Sequence, residues 1–182
     1  MFMIKIIGFI IVIMSGTLGG FAVYEKQRNK LKFFGQYLDF IENIKNEIRY
    51  SGKNLFDILS SYKCEYPFKI YIDKSVDNLN KFSFEDSWKK SFKLCVKDLG
   101  ISDAEESLIV NFGLGLGKSD TQSQINHCEH NLQTAKPYLK KLQNDYHSKG
   151  KLPLILGTAF GVIIALLIVW EIIKQKWIEI WI

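Results

Sequence analysis

The chain has 182 residues, 47% of them hydrophobic, and 24 Lys and Arg against 19 Asp and Glu give a formal net charge of +5. That length suits a single domain, and both signs of charge are interspersed, which excludes the basic stripe of a nucleic-acid binder. The three cysteines, at 64, 95 and 128, form no C-x-x-C, and an odd number argues against a disulfide framework.

Taken in order, the chain opens with Ile6 to Val23, 18 residues without a charge. A second uncharged run, the 19 residues from Leu152 to Trp170, lies near the other end. Each is long enough to cross the hydrocarbon core of a bilayer as a helix. The first is not read as a cleaved leader, because only Lys5 precedes it and no A-x-A site stands near Gly20 to Tyr24. Lys26, Arg28, Lys30 and Lys32 follow the first run; Lys136, Lys140, Lys141, Lys149 and Lys151 precede the second. Both biases place the intervening region in the cytoplasm and the short termini on the far side of the membrane. The expected organisation is a membrane helix over 1–24, a cytoplasmic helical bundle over 25–150, a second membrane helix over 151–173 and an interfacial tail over 174–182. Trp170, Trp177 and Trp181 anchor that tail. Each span carries a G-x-x-x-G, Gly16 to Gly20 and Gly157 to Gly161, a spacing that lets helix backbones approach in lipid. Glycine is also simply common in membrane helices.

Between the spans, Leu31, Phe34, Leu38, Ile41, Ile44 and Ile48 keep helical spacing, and no Gly or Pro separates this helix from the first span. Ser51-Gly52 ends it. A short second helix covers Leu55 to Tyr62, with Asn54 as its cap. After Pro67, Phe68, Ile70, Tyr71 and Ile72 read as either strand or helix, and Val76 and Leu79 favour helix. Ser83 starts a helix whose apolar face is Trp88, Phe92, Leu94, Cys95 and Leu99, closed by Gly100. Ser102 and Glu105 form a capping box for the next helix, with Leu108, Ile109 and Phe112 at helical spacing.

The stretch that organises the region follows, F-G-L-G-L-G-K-S-D from Phe112 to Asp120. Glycines 113, 115 and 117 end one helix. Ser119 or Asp120 caps the next, and Gln122 stands three residues after Ser119 as a capping-box partner. Ile125, Cys128, Leu132, Ala135, Leu139, Leu142 and Tyr146 then step by three and four along one seam. Pro137 should bend this helix without breaking its phase. The glycine turn misses the phosphate-binding pattern G-x-x-x-x-G-K-[S/T], because Phe112 occupies the place of the first glycine. His127-Cys128-Glu129-His130 lacks a matching ligand cluster elsewhere. There is no Ser/His/Asp grouping, no H-E-x-x-H and no carboxylate pair flanking an apolar cleft. The residues offer no catalytic, cofactor or metal site.

Three features together resemble the stage III sporulation protein AB family: the I-x-N-E-I-x-Y of Ile44 to Tyr50, the F-G-L-G-L-G-K-S-D-x-x-x-Q of Phe112 to Gln124, and a membrane span at each end. The resemblance implies an all-α fold, a six-helix bundle similar to the cytoplasmic domain of type II secretion F proteins, flanked by two transmembrane helices. It implies a non-enzymatic scaffold in the membrane channel joining mother cell and forespore, set in the mother-cell membrane that faces the forespore. The implied partners are an ATPase of the stage III sporulation protein AA type and other membrane subunits of that channel. Candidate partner contacts are Glu47, Arg49 and Tyr50, and Lys118, Ser119, Asp120 and Gln124, both sets at helix–loop junctions. Each set has a structural alternative, since Ser119 or Asp120 can serve only as a cap and Glu47 only as an ion-pair partner. Two other functions compete: a nucleotide hydrolase using the 113–119 turn, and a signalling protein dimerised through the 125–146 seam.

Overall fold

The structure, a computed structural model, describes residues 2–79, 81–96 and 99–181; the side chains of 2–6, 172 and 175–181 lie outside the description. The side chains of the expected anchors Trp177 and Trp181 therefore lie outside the description. Among the described residues seven helices follow in order: α1 (Phe2–Tyr50), α2 (Leu55–Ser61), α3 (Phe68–Leu79), α4 (Phe84–Cys95), α5 (Asp103–Gly115), α6 (Thr121–Lys149) and α7 (Leu152–Trp181). No strand occurs among the described residues. The fold is all-α, and the chain divides into two compact units, Lys26–His147 and a pairing of Met1–Glu25 with Ser148–Ile182.

In the larger unit, the second half of α1 and α2 to α6 form a six-helix bundle. The caps follow from side chains that satisfy otherwise unpaired amide groups at helix starts. Asn54 accepts from the Asp57 N–H at 2.9 Å, and Ser83 from that of Asp86 at 3.2 Å. Ser102 and Glu105 complete a reciprocal capping box. The stretch after Pro67 is helical: Phe68, Tyr71, Ile72 and Ser75 are buried at spacings of three and four, so one helix face enters the core.

The core is unusually aromatic. Phe33, Phe34, Tyr37, Phe40, Phe68, Tyr71, Trp88 and Phe112 are all fully buried. α1 supplies a wider apolar face than the single expected seam, because Phe33, Tyr37 and Phe40 are buried beside Phe34, Leu38, Ile41 and Ile44. A central helix packed on two sides needs two adjacent seams, which a one-face reading undercounts. α3 and α4 approach closely over buried Ser75, Ser87 and Ser91, and Asn78 donates to Ser91 at 3.0 Å.

Two expectations for α4 need correction. Leu94 is 71% exposed, because a face through Trp88 and Phe92 turns position 94 outward. Gly100 does not close the helix, which ends at Cys95 with the Val96 N–H bonded to Phe92 O at 3.1 Å. Gly100 lies in the following link, at φ +66°, a conformation suited to glycine. α6 continues across Pro137 without a break, and Cys128, Leu132 and Ala135 of its seam are buried in the core.

Lys30 ties the start of α5 to α1, with Nζ 2.7 Å from Glu105 Oε2 and 3.0 Å from the Gly100 carbonyl oxygen. Burial alone would push the Glu105 carboxyl up. Lys30 and the Ser102 amide and hydroxyl outweigh it and hold the carboxyl below its ordinary 4.5. A depressed acid stabilises the fold above its unfolded value and loses that contribution as pH falls through the folded value. Thermal melts of the full chain in detergent should therefore show the melting temperature falling below about pH 4.5. Glu105→Gln should flatten part of that slope while lowering stability at pH 7.

In the smaller unit, the first part of α1 and α7 are both long and apolar enough to cross a membrane. They run antiparallel with their backbones in contact. A Cβ at Gly16 would lie 3.2 Å from Gly161 Cα, one at Gly157 3.1 Å from Gly20 Cα, one at Gly20 3.0 Å from Leu154 Cα, and one at Gly161 3.1 Å from Ile13 Cα. Gly8 and Gly19 face open space instead. Thr17 and Thr158 donate to carbonyls of their own helices, at 2.8 Å to Ile13 and 2.8 Å to Ile155, so neither hydroxyl is left bare in an apolar setting. Gly157→Ile should lower the melting temperature of the detergent-solubilised chain by several degrees, and Gly19→Ile should leave it nearly unchanged.

Candidate functional site

The glycine turn between α5 and α6 is built residue by residue for contact. Phe112 is buried, and its ring stacks on His127 at 5.5 Å with an interplanar angle of 1°. His127 Nε2 lies 2.9 Å from the Phe112 carbonyl oxygen, so this nitrogen carries the proton in the bond. Gly113 lies inside α5, and a Cβ there would collide with the Trp88 indole; one at Gly115 would collide with the His127 ring. Of the three glycines, only Gly117 has a positive φ, +77°. So the three serve different ends, and Gly113 does not end the helix as the sequence suggested.

Gln124 holds the turn closed. Its side chain is buried; Oε1 accepts from the Gly117 N–H at 3.1 Å, and Nε2 donates to Ser119 Oγ at 3.0 Å and to Gly115 O at 3.3 Å. Asp120 is the cap of α6: its carboxylate accepts from the Ser123 N–H at 3.1 Å and the Ser123 hydroxyl at 2.6 Å. Ser119 and Gln122 do not form a capping box, because Ser119 is held by Gln124 and Gln122 donates to Asn126 at 3.0 Å. Lys118 reaches across to the first turn of α4, 2.7 Å from Glu85.

The second candidate set stands at the end of α1. Glu47 pairs with Lys53 at 3.1 Å, and its carbonyl accepts from both the Ser51 N–H and hydroxyl, at 2.9 and 2.7 Å. Arg49 and Lys45 both face Glu129 of α6, at 3.5 and 3.9 Å. Tyr50 is 79% exposed. Since α5 runs alongside α1 from Lys30–Glu105 to the Tyr37–Phe112 contact, and α6 returns to Glu129, the two candidate sets share one end of the bundle. No direct bond joins them among the described residues.

Sequence reasoning missed Trp88, His127 and Glu85 as partners of the turn. The glycine spacing signalled close contacts but carries no record of which distant side chain fills them. The residues 127–130 do not converge on a common point: His127 faces Phe112, Glu129 faces Lys45 and Arg49, and Cys128 is buried, its thiol pushed up to about 11. Among the described residues no group of His, Cys, Asp and Glu is arranged to hold a metal ion.

The sequence profile of stage III sporulation protein AB matches residues 5–169, taking in both apolar segments and the whole turn. The chain belongs to that family. No curated protein and no solved structure matches it. The family's members are sporulation proteins, and in this member the polar groups of the glycine turn act first on the fold.

The variants should therefore rank in their cost to stability. Gly113→Ala forces its Cβ into the indole and should cost about 1–3 kcal/mol. Asp120→Ala loses the cap of α6 and should cost less than Gly113→Ala and more than Lys118→Ala. Lys118→Ala removes one exposed ion pair and should cost less than about 1 kcal/mol. Urea titrations of the three variants check the order.

Proposed function

We propose that this chain is a non-enzymatic scaffold of the sporulation channel between mother cell and forespore, inserted by both apolar helices with its bundle in the cytoplasm. There it docks a secretion-type ATPase of the stage III sporulation protein AA kind and joins other membrane subunits of the channel. Family membership supports the sporulation role, and the charge bias flanking the apolar segments supports the orientation. One observation favours a scaffold over a hydrolase. In the glycine turn, the Gly117 N–H that a phosphate cradle would leave free is given to Gln124, and Lys118 is engaged by Glu85. Dimerisation through the α6 seam is disfavoured as well, because Cys128, Leu132 and Ala135 are spent inside the monomer.

The docking surface is assigned to Glu47, Arg49 and Tyr50, with Lys118 at its edge. Tyr50 supports this choice, since a large exposed aromatic beside charged groups is the type of residue that anchors interfaces. Ser119, Asp120 and Gln124 take part only by keeping the turn in shape. Pull-down of the ATPase from sporulating cells with full-length chain should fall at least tenfold for a Glu47→Ala, Tyr50→Ala double variant whose melting is unchanged. ATP turnover by the purified chain that disappears with Lys118→Ala would overturn the reading in favour of a hydrolase.

A further inference from the structure

Among the described residues of the unit Lys26–His147, every leucine and isoleucine is buried or half-buried except two. These are Leu94 of α4, 71% exposed, and Ile70 of α3, 44% exposed. Adjacent helices bring them to one side of the bundle, because the thiol of Cys95, next to Leu94, donates to the Ile70 carbonyl oxygen at 3.7 Å. Exposed Lys89, Lys90 and Lys93 share the outward face of α4 with Leu94, and Lys90 lies over the Phe82 ring at 3.2 Å. Exposed Lys74 follows Ile70 by one turn of α3, beside Cys95. Lys30, Lys45, Lys53 and Lys118 each face a carboxylate. Among the described residues none of Lys74, Lys89, Lys90 and Lys93 is in an ion pair. We propose that this face of α3 and α4 docks an acidic amphipathic helix of a partner protein.

Neighbouring acids do not cancel the four cations. Glu85 is taken by Lys118, and Asp86 accepts from the Ser83 hydroxyl at 3.0 Å in the cap of α4. Glu106 of α5 stands across a groove from Lys93, over a floor of Phe92, Val96 and Ile101. Asp73 and Asp77 fall on the stripe of α3 that begins at Lys69. On that stripe Asp73 and Lys69 face Cys64, in the link before α3, rather than α4. Setting Asp86 and Glu106 against the four lysines leaves two positive charges around two bare aliphatic side chains. A helix with apolar residues at spacings of three and four, and acids beside them, is complementary to such a face. The face is also separate from the docking surface at the end of α1 and its edge at Lys118. Leu94 stands nine residues, about 14 Å, along α4 from Glu85, the residue that Lys118 reaches.

The test uses the full chain in sporulating cells, with the photo-crosslinker benzoylphenylalanine in place of Leu94 and the crosslinked peptides sequenced by mass spectrometry. The adduct should be a protein segment with apolar residues at helical spacing and more Asp and Glu than Lys and Arg. Lys89→Glu with Lys93→Glu should cut its yield about tenfold, since each reversal turns an attraction into a repulsion. The same reversal at exposed positions elsewhere, Lys63→Glu with Lys140→Glu, should leave the yield intact. A synthetic peptide of the captured sequence should bind the purified unsubstituted chain about tenfold more tightly than its copy with Asn and Gln for Asp and Glu, a comparison independent of whether the reversed variants fold. No adduct, an adduct on a basic segment, on a second copy of this chain, on lipid or on nucleic acid, or equal binding of the two peptides each overturns the proposal. So does an equal loss of yield in the control.

Discussion

The Trp88 indole occupies the space that any side chain at position 113 would need, and its Nε1 donates to the Ile109 carbonyl oxygen at 2.9 Å. Much of the bundle is assembled around that approach. On one side the indole stacks on Phe40 of α1 at 5.7 Å; on another it meets Tyr71 of α3 at 4.5 Å, whose hydroxyl donates to the Trp88 carbonyl at 3.2 Å. Phe112, next to the glycine, carries the packing on to His127 of α6. Four helices besides α4 thus meet through one tryptophan and the glycine that admits it. Aromatic pairs of this kind add about 0.5–1.5 kcal/mol each beyond the area they bury, so a displaced indole weakens several contacts together.

The same device is used in the apolar unit with a different occupant. Gly16, Gly20, Gly157 and Gly161 leave room for backbone rather than for a side chain. In lipid no hydrophobic force drives two helices together, and close packing must supply the attraction. In the bundle, exclusion of water from the aromatic core does most of that work. Glycine therefore admits a ring in one unit and a backbone in the other by one means, the absence of Cβ.

Polar residues fall into two kinds. Glu105, Gln124 and Asp120 use their bonding capacity within the chain, on a lysine, a turn and a helix start respectively. Such groups leave little over for a ligand. Tyr50, by contrast, stands exposed at the end of α1.

Much of this was legible from neighbours along the chain. The caps at Asn54, Ser83 and Ser102 need only residues three apart, and so does the burial of Cys128, Leu132 and Ala135 on one helix face. Two apolar segments of membrane-spanning length are likewise a property of composition, and the motifs around the glycine turn sufficed to place the family. Tertiary structure alone decided the rest. Nothing local tells Gly113, which admits an indole, from Gly117, which turns the chain at positive φ. Nor does the local pattern reveal that Gln124 rather than Gln122 holds the turn, or that α1 buries two seams instead of one. In each case the deciding atom comes from another helix or across the turn, and helical periodicity records which way a side chain faces but not what it meets there.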